Sequence, residues 1–248
     1  MKKIFSILIL LTSFINLHAQ QVVIEMADGR VISYYTDEIQ NIKFYEVEPH
    51  EYVDLGLTSG NLWATTNLGA SSPSEYGSYF AWGEIEPKIE YTEENYKFGC
   101  YNGEEYQYLK YVCHESANKR GYEGFYDDKS TLDLGDDAAY IAYRGRWRIP
   151  TLDDFNELIR ECTWQYTKNG YKVISKNGQS IFLPFAQFQG YGPGLGHSGY
   201  GYYMSSQNIE SDAKEIKYLS ICSYYKSTSY TLWRHLGISI RPVLKKQE

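Results

Sequence analysis

The stretch DDAAYIAYRGRWRIPTLDDFNELIREC, residues 136–162, constrains the fold more than any other part of this chain. It reads as a short helix, a tight turn at Gly145, a strand over Trp147-Arg148-Ile149-Pro150, and a second helix with a complete start signal. Thr151 can accept from the free amides of that helix, and Asp153 and Asp154 place negative charge at its positive end. Thr151 and Asp154 also have capping-box spacing. Leu152, Phe155, Leu158, Ile159 and Cys162 recur at helical period and supply one apolar face. This stretch describes a scaffold rather than a reaction.

Residues 1–20 have the organisation of an export signal. Lys2 and Lys3 are followed by an apolar run from Ile4 to Ile15 and by the small residue Ala19. That run is shorter than the ~20 residues a membrane span needs, and nothing later resembles a span. No Cys follows it, so a lipid-anchored start is not indicated. The mature chain is expected to begin near Gln20 or Gln21 and to work in the periplasm, on the outer surface or in the medium.

Loss of Lys2 and Lys3 takes the formal charge from −7 to −9. An acidic chain with no basic run matches a phosphate backbone poorly, which excludes nucleic acid as a partner. The remaining roughly 229 residues suffice for one large domain. With 26 Tyr, 5 Trp and 21 Gly, the chain suits a loop-rich extracellular module of many short strands. Aromatic side chains serve mainly to pack such a module, and secondarily to present a binding surface.

Residues 21–46 read as a small β unit. Val22 to Met26 and Val31 to Tyr35 flank Asp28-Gly29, a strong hairpin signal, and a third run covers Ile42 to Tyr45. The acidic segment 46–50 is the junction. Strands are then expected at Val53–Leu57, Leu62–Thr65 and Tyr79–Trp82. Residues 84–129 read as long Tyr-rich loops. Asn177-Gly178 joins Tyr171–Ile174 to Ser180–Leu183 as a second hairpin. Further strands are expected at 200–205, 215–220 and 237–243. Strands flanking two helices argue for an α+β fold.

Six ordered blocks resemble the Fibrobacter succinogenes major paralogous domain, a family of exported bacterial modules. They are EYVDLGLTSGNLWATTNLGA (51–70), EYGSYFAWGE (75–84), DDAAYIAYRGRWRIPTLDDFNELI (136–159), NGQSIFLPFA (177–186), GYYMSS (201–206) and SIRPV (239–243). The resemblance covers residues 51–243. A broader likeness to formylglycine-generating enzymes and C-type lectins implies a C-type-lectin-like domain, with short antiparallel strands around two helices. The family brings no established activity with it, so the ligand stays open.

Catalytic signatures are missing. Formylglycine chemistry needs paired cysteines near the C-terminus, where this chain has Cys222 alone. No metalloprotease helix or nucleophile elbow occurs, and Gly194 to Gly199 matches G-x-G-x-x-G without a strand-to-helix context. No cofactor is expected. Asp127, Asp128, Asp133, Asp136 and Asp137 form an acidic run, but solvated or helix-capping carboxylates are the simpler reading than a calcium site. Glu86-Pro87-Lys88 puts a cation where a sugar-binding lectin needs a calcium ligand. Cys100 and Cys113 are disulfide candidates, with free thiols as the alternative. Cys162 reads as a buried free thiol, and its pairing with Cys222 stays open.

The Tyr/Gly segment 187–203 is the candidate recognition surface, with Tyr191, His197, Tyr200, Tyr202 and Tyr203 as ligand-binding candidates. The alternative is that Tyr200, Tyr202 and Tyr203 pack under a sheet, as the alternation of GYGYYMSS also allows. The leading functional expectation is an exported, non-catalytic binding or adhesion module for a glycan or surface protein. The alternatives are a structural surface component that assembles through residues 22–46, and an enzyme whose site arises only where distant residues converge.

Overall fold

The computed structural model describes residues 21–25, 31–37, 39–41, 50–103, 105–119, 126–190 and 198–245. The export signal, the Asp28-Gly29 turn and the run at 42–45 lie outside the described residues. The chain divides into two compact units, Met1–Glu46 and Val47–Glu248. In the first, β1 (Gln21–Glu25) pairs antiparallel with β2 (Val31–Tyr35), Val22 opposite Tyr34 and Ile24 opposite Ile32. The expected hairpin is therefore present.

In the second unit β3 (Tyr52–Val53), β4 (Leu62–Ala64) and β5 (Tyr79–Phe80) come first. The hairpin β6 (Gly99–Asn102) and β7 (Glu105–Tyr108) precedes α1 (His114–Lys119). A 3-10 turn at Leu134–Asp136 leads to α2 (Ala138–Tyr143), β8 (Trp147–Arg148) and α3 (Leu152–Glu161). Next come β9 (Thr163–Thr167), β10 (Gly170–Ile174) and β11 (Ser180–Pro184). A long hairpin of β12 (Tyr200–Ile209) and β13 (Asp212–Cys222) follows. The short strands β14 (Tyr225–Ser227), β15 (Thr231–Trp233), β16 (Ile238–Ser239) and β17 (Val243–Leu244) end the described chain.

The α+β expectation is corrected by this architecture. Strand accounts for 39% and helix for 11%, the α-helices among the described residues are three and short, and the arrangement is predominantly sandwich-like. The two helices expected to organise the fold have six and ten residues. They are appended to the sheets rather than ringed by them, so the C-type-lectin-like description falls with the α+β one. The physical reason is that strands β9, β14 and β15 and the hairpin β6–β7 carry little hydrophobic alternation. Their stability comes from pairing with neighbours, which local sequence does not show.

The centre is a six-stranded sheet of order β14-β13-β12-β16-β5, with β15 also on β13. Both faces of its β12–β13 hairpin are covered. Tyr202, Met204, Ile216 and Tyr218 enter one core with Trp82, Tyr96, Tyr111 and Ala139. Tyr203, Leu219 and Ile221 enter a second core with Trp63, Phe155, Leu158, Val173 and Leu183. Alternate residues of one strand thus serve separate cores, as the period of two requires. The sheet β11-β10-β9 lies over the second core, with α3 and β4.

Helix α3 is set as its sequence requires. Thr151 accepts from the Asp154 amide at 3.2 Å, and Asp154 accepts from the Thr151 amide at 2.6 Å, completing the capping box. Arg148 holds the same carboxylate at 2.6 Å. Phe155 and Leu158 are fully buried, each contributing about 1.5–3 kcal/mol of transfer free energy. A two-residue excess in β12 between Met204 and Asn208 bulges the central hairpin toward this helix. From the bulge, Gln207 Oε1 accepts from the Leu152 amide at 2.9 Å, and the Ser206 amide donates to Pro150 at 2.8 Å. No helix among the described residues is long and apolar enough to cross a membrane.

Candidate ligand-binding surface

The sequence candidates do not form one surface. Tyr191 and His197 lie outside the described residues. Tyr203 is fully buried and donates to the Pro184 carbonyl at 2.6 Å. Tyr202 is buried against Phe188 and Tyr218, with ring centroids at 5.2 and 5.5 Å. Both are core residues and offer no face to a ligand. Tyr200 is half-buried at the end of β12, and it alone of these candidates borders the surface described next.

The register of β12, β13 and β14 sets Tyr200, Cys222 and Tyr225 in one cross-strand row, and Tyr202, Ser220 and Ser227 in the next. At the open end of the first row Tyr224 is 73% exposed and Tyr230 47% exposed. The hydroxyls of Tyr200 and Tyr224 meet in a hydrogen bond. Ring centroids are 6.4 Å apart for Tyr200 and Tyr224 and 5.3 Å for Tyr224 and Tyr225, at 88° and 69°. Tyr225 and Tyr230 are 5.3 Å apart, and the Tyr225 hydroxyl lies 3.2 Å from Ser220 Oγ. Each ring is thus braced by at least one neighbour: Tyr200, Tyr224 and Tyr225 edge against face, which aromatic quadrupoles favour, and Tyr230 tilted at 42° to Tyr225.

Among the described residues, the side chains that make up this patch carry no charge. Lys226, between Tyr225 and Ser227, points to the opposite side, its Nζ 5.1 Å from the Tyr171 ring centre and 5.9 Å from that of Trp164. Burial pushes Tyr218 up to about 12 and raises Tyr225 above its ordinary value. The hydrogen bond to Tyr200 raises Tyr224. These phenols stay neutral at pH 7 and act as hydroxyl donors and acceptors. The surface can therefore stack on an apolar face and bond to its polar rim. Sequence reasoning missed Tyr224 and Tyr230. The signal was SYYKSTSY at 223–230, where four Ser or Thr hydroxyls accompany three Tyr.

The acidic run is engaged throughout. Asp127 accepts from the Tyr111 and Val112 amides at 3.0 and 2.9 Å, and Asp128 from the His114 amide at 2.7 Å. Asp133 pairs with Lys110 at 2.7 Å and Lys129 at 2.8 Å. Asp136 meets Lys110 at 2.6 Å, Tyr111 at 2.7 Å and Lys97 at 3.1 Å. Burial would raise the Asp136 carboxyl, but these three partners outweigh it and hold the carboxyl low. Asp137 caps α2 through the Tyr140 amide. Glu84 and the Asn95 carbonyl hold the Lys88 ammonium at 2.7 and 2.6 Å. Among the described residues no group of three or more His, Cys, Asp or Glu is placed to hold a metal ion.

A pocket of 290 Å³ beside α3 is lined by Ser59, Asp153, Asp154, Asn156, Glu157 and Arg160. Two of its carboxylates are already committed. Glu157 accepts from the Ser59 amide and hydroxyl at 2.7 and 2.6 Å, and Asp154 from Asn61 at 2.7 Å. The pocket is a junction between α3 and the turn after β3 rather than a second site.

In the structure Cys100 and Cys113 are free thiols, the alternative left open by the sequence, as are Cys162 and Cys222. Cys100 is exposed on β6, whereas Cys113 is buried with Sγ 3.9 Å from the Lys129 carbonyl. Burial raises the Cys113 thiol and pushes Cys162 up to about 11. A maleimide is expected to label Cys100 in native protein, and Cys113 and Cys222 only after unfolding. Equal native reactivity of all four, read by mass spectrometry, would contradict this placement.

Comparison of the chain with family models, with curated proteins and with solved structures returns no match.

Proposed function

We propose that this protein is an exported, non-catalytic binding module whose ligand face is the tyrosine patch at the end of the central hairpin. One observation carries this reading. Tyr224 and Tyr230 stand exposed while their neighbours hold them in place, on a scaffold buried on both faces. Exposing aromatic area to water is unfavourable and calls for an occupant. Preorganised rings also lose little conformational freedom on binding. The export signal, the acidic balance and the resemblance to exported bacterial modules support the setting. On a combined glycan and surface-protein array, wild type is expected to bind. Tyr224→Ala and Tyr230→Ala should each weaken that binding about tenfold or more, with unchanged unfolding midpoints. Wild-type protein with no hit, or hits that both variants retain, would sink the proposal.

A second reading is favoured by the β1–β2 hairpin. Every side chain of β2 is exposed, and Ile24, Ile32 and Tyr34 share one face with Val22. A two-stranded hairpin by itself is marginal in water, and an assembly role through this segment would cover its exposed face. Under that reading, deletion of residues 21–46 lowers the assembly state seen by sedimentation. Unchanged sedimentation removes it.

A further inference from the structure

The geometry of the tyrosine patch points to a neutral carbohydrate chain as its ligand, an inference that rests on the binding reading above. Three features of the patch exclude the competing chemistries. Its groups are Tyr200, Tyr224, Tyr225 and Tyr230 with the hydroxyl of Ser227, and none of them is charged. An anionic ligand would find no cation there and would meet a chain of formal charge −7. A cationic peptide would find ring faces but no carboxylate to neutralise it once it is desolvated.

An extended peptide could instead add to the sheet at β14, the edge strand beside the patch. That edge is three residues long, which limits the ladder it can offer. The backbone hydrogen bonds that carry affinity in strand addition are therefore few here.

A sugar ring presents what this surface matches. Its C–H face is apolar and its rim is a ring of hydroxyls. Tyr200 and Tyr224 lie at 88° to one another, so beside one ring's stacking face stands a neighbour's edge and hydroxyl. The Tyr225 hydroxyl, held 3.2 Å from the buried Ser220 Oγ, is a second polar point beside the rings. Ring centres 5.3 to 6.4 Å apart, at 42° to 88°, gather ring faces, ring edges and hydroxyls around one site. Recognition of this kind depends on contact and hydrogen bonds rather than on charge, and it is insensitive to salt.

The test is affinity electrophoresis of the full mature chain in native gels. The gels hold a soluble β-glucan, a xylan, a galactomannan or the anionic polymer alginate, and a proline-rich peptide library is titrated in parallel. At least one neutral polymer is expected to retard the protein, with no change on added salt. Tyr224→Ala should weaken that retardation about tenfold or more, and Tyr224→Phe much less, since the ring is kept. Far-ultraviolet circular dichroism and urea midpoints should be nearly the same for all three proteins, because Tyr224 is 73% exposed. No retardation by any neutral polymer overturns the inference. Neutral-polymer binding that Tyr224→Ala leaves intact also overturns it. Alginate or peptide binding that Tyr224→Ala abolishes would overturn the carbohydrate assignment while leaving the patch as the binding surface.

Discussion

Replacing Arg234 with methionine is expected to bring the protein close to unfolding. The guanidinium is fully buried, and among the described residues no carboxylate lies within ion-pair distance of it. Its Nε donates to the Tyr96 hydroxyl at 2.7 Å. The two terminal nitrogens donate to the carbonyls of Ala213, Lys110 and Tyr111 at 3.0, 2.8 and 3.4 Å. The ring centres of Trp82, Tyr96, Tyr108 and Tyr111 lie 5.0, 5.2, 4.8 and 6.0 Å from its Cζ. The positive charge is held by dipoles and ring quadrupoles instead of by an anion. Exchanging a buried ionic group for an apolar one can be neutral when all its partners are exchanged too. Here the carbonyls remain: those of Ala213 and Lys110 lose this donor at about 1–3 kcal/mol each, while that of Tyr111 keeps Asn208 Nδ2 at 2.9 Å. The sum, about 2–6 kcal/mol, compares with a whole-domain stability of roughly 5–15 kcal/mol. Arg234→Lys should restore only part of this, because an ammonium cannot reach four acceptors in a planar fork. Urea midpoints of the two variants decide the matter, and a midpoint for Arg234→Met equal to wild type would refute the account.

Stability is also expected to fall on mild acidification, starting above the ordinary carboxylate range. His235 is buried, and burial lowers its pKa from 6.5 to about 4. The charges of Glu93 and Glu94 oppose that shift, while Lys214 and Lys88 add to it. The unfolded chain therefore binds a proton between about pH 6.5 and pH 4 that the folded chain refuses. At 1.36 kcal/mol per unit, the loss across that window is about 3 kcal/mol. Asp136 and Asp154, held low by their partners, lose their contributions only below the ordinary carboxylate range. His235→Leu should flatten the upper window and leave the lower one. Wild-type melting temperatures that stay level from pH 6.5 to 4.5 would show that the ring is charged in the folded state.

Helix α3 was legible before any coordinates because its signals are local. The Thr151–Asp154 cap and the Phe155–Leu158 spacing require only neighbouring residues. The same holds for β10 and β11, whose turn at Asn177-Gly178 sits at +82° in Gly178 φ. The central hairpin was legible only in part. Its expected first strand stopped at Ser205 because Ser206, Gln207 and Asn208 look like a loop, when they form the bulge that docks α3. Arg234 and Arg241 look like surface charges in the sequence. Their burial depends on carbonyls up to 177 positions away, which no local pattern encodes. The same limit hid the binding surface. Tyr202 and Tyr224 are the same residue type, and only the position of the sheet separates a core ring from an exposed one.

The β12–β13 hairpin sends alternate side chains into opposite cores, and this leaves the molecule no partly correct arrangement. Sliding β12 by a single position would carry Tyr203 into the core that Tyr202 fills and Tyr202 into the other, and sliding β13 would exchange Leu219 and Tyr218 in the same way. Misassembly would wreck both halves together, so the shared strand acts as a proofreader: the larger unit either forms whole or melts whole.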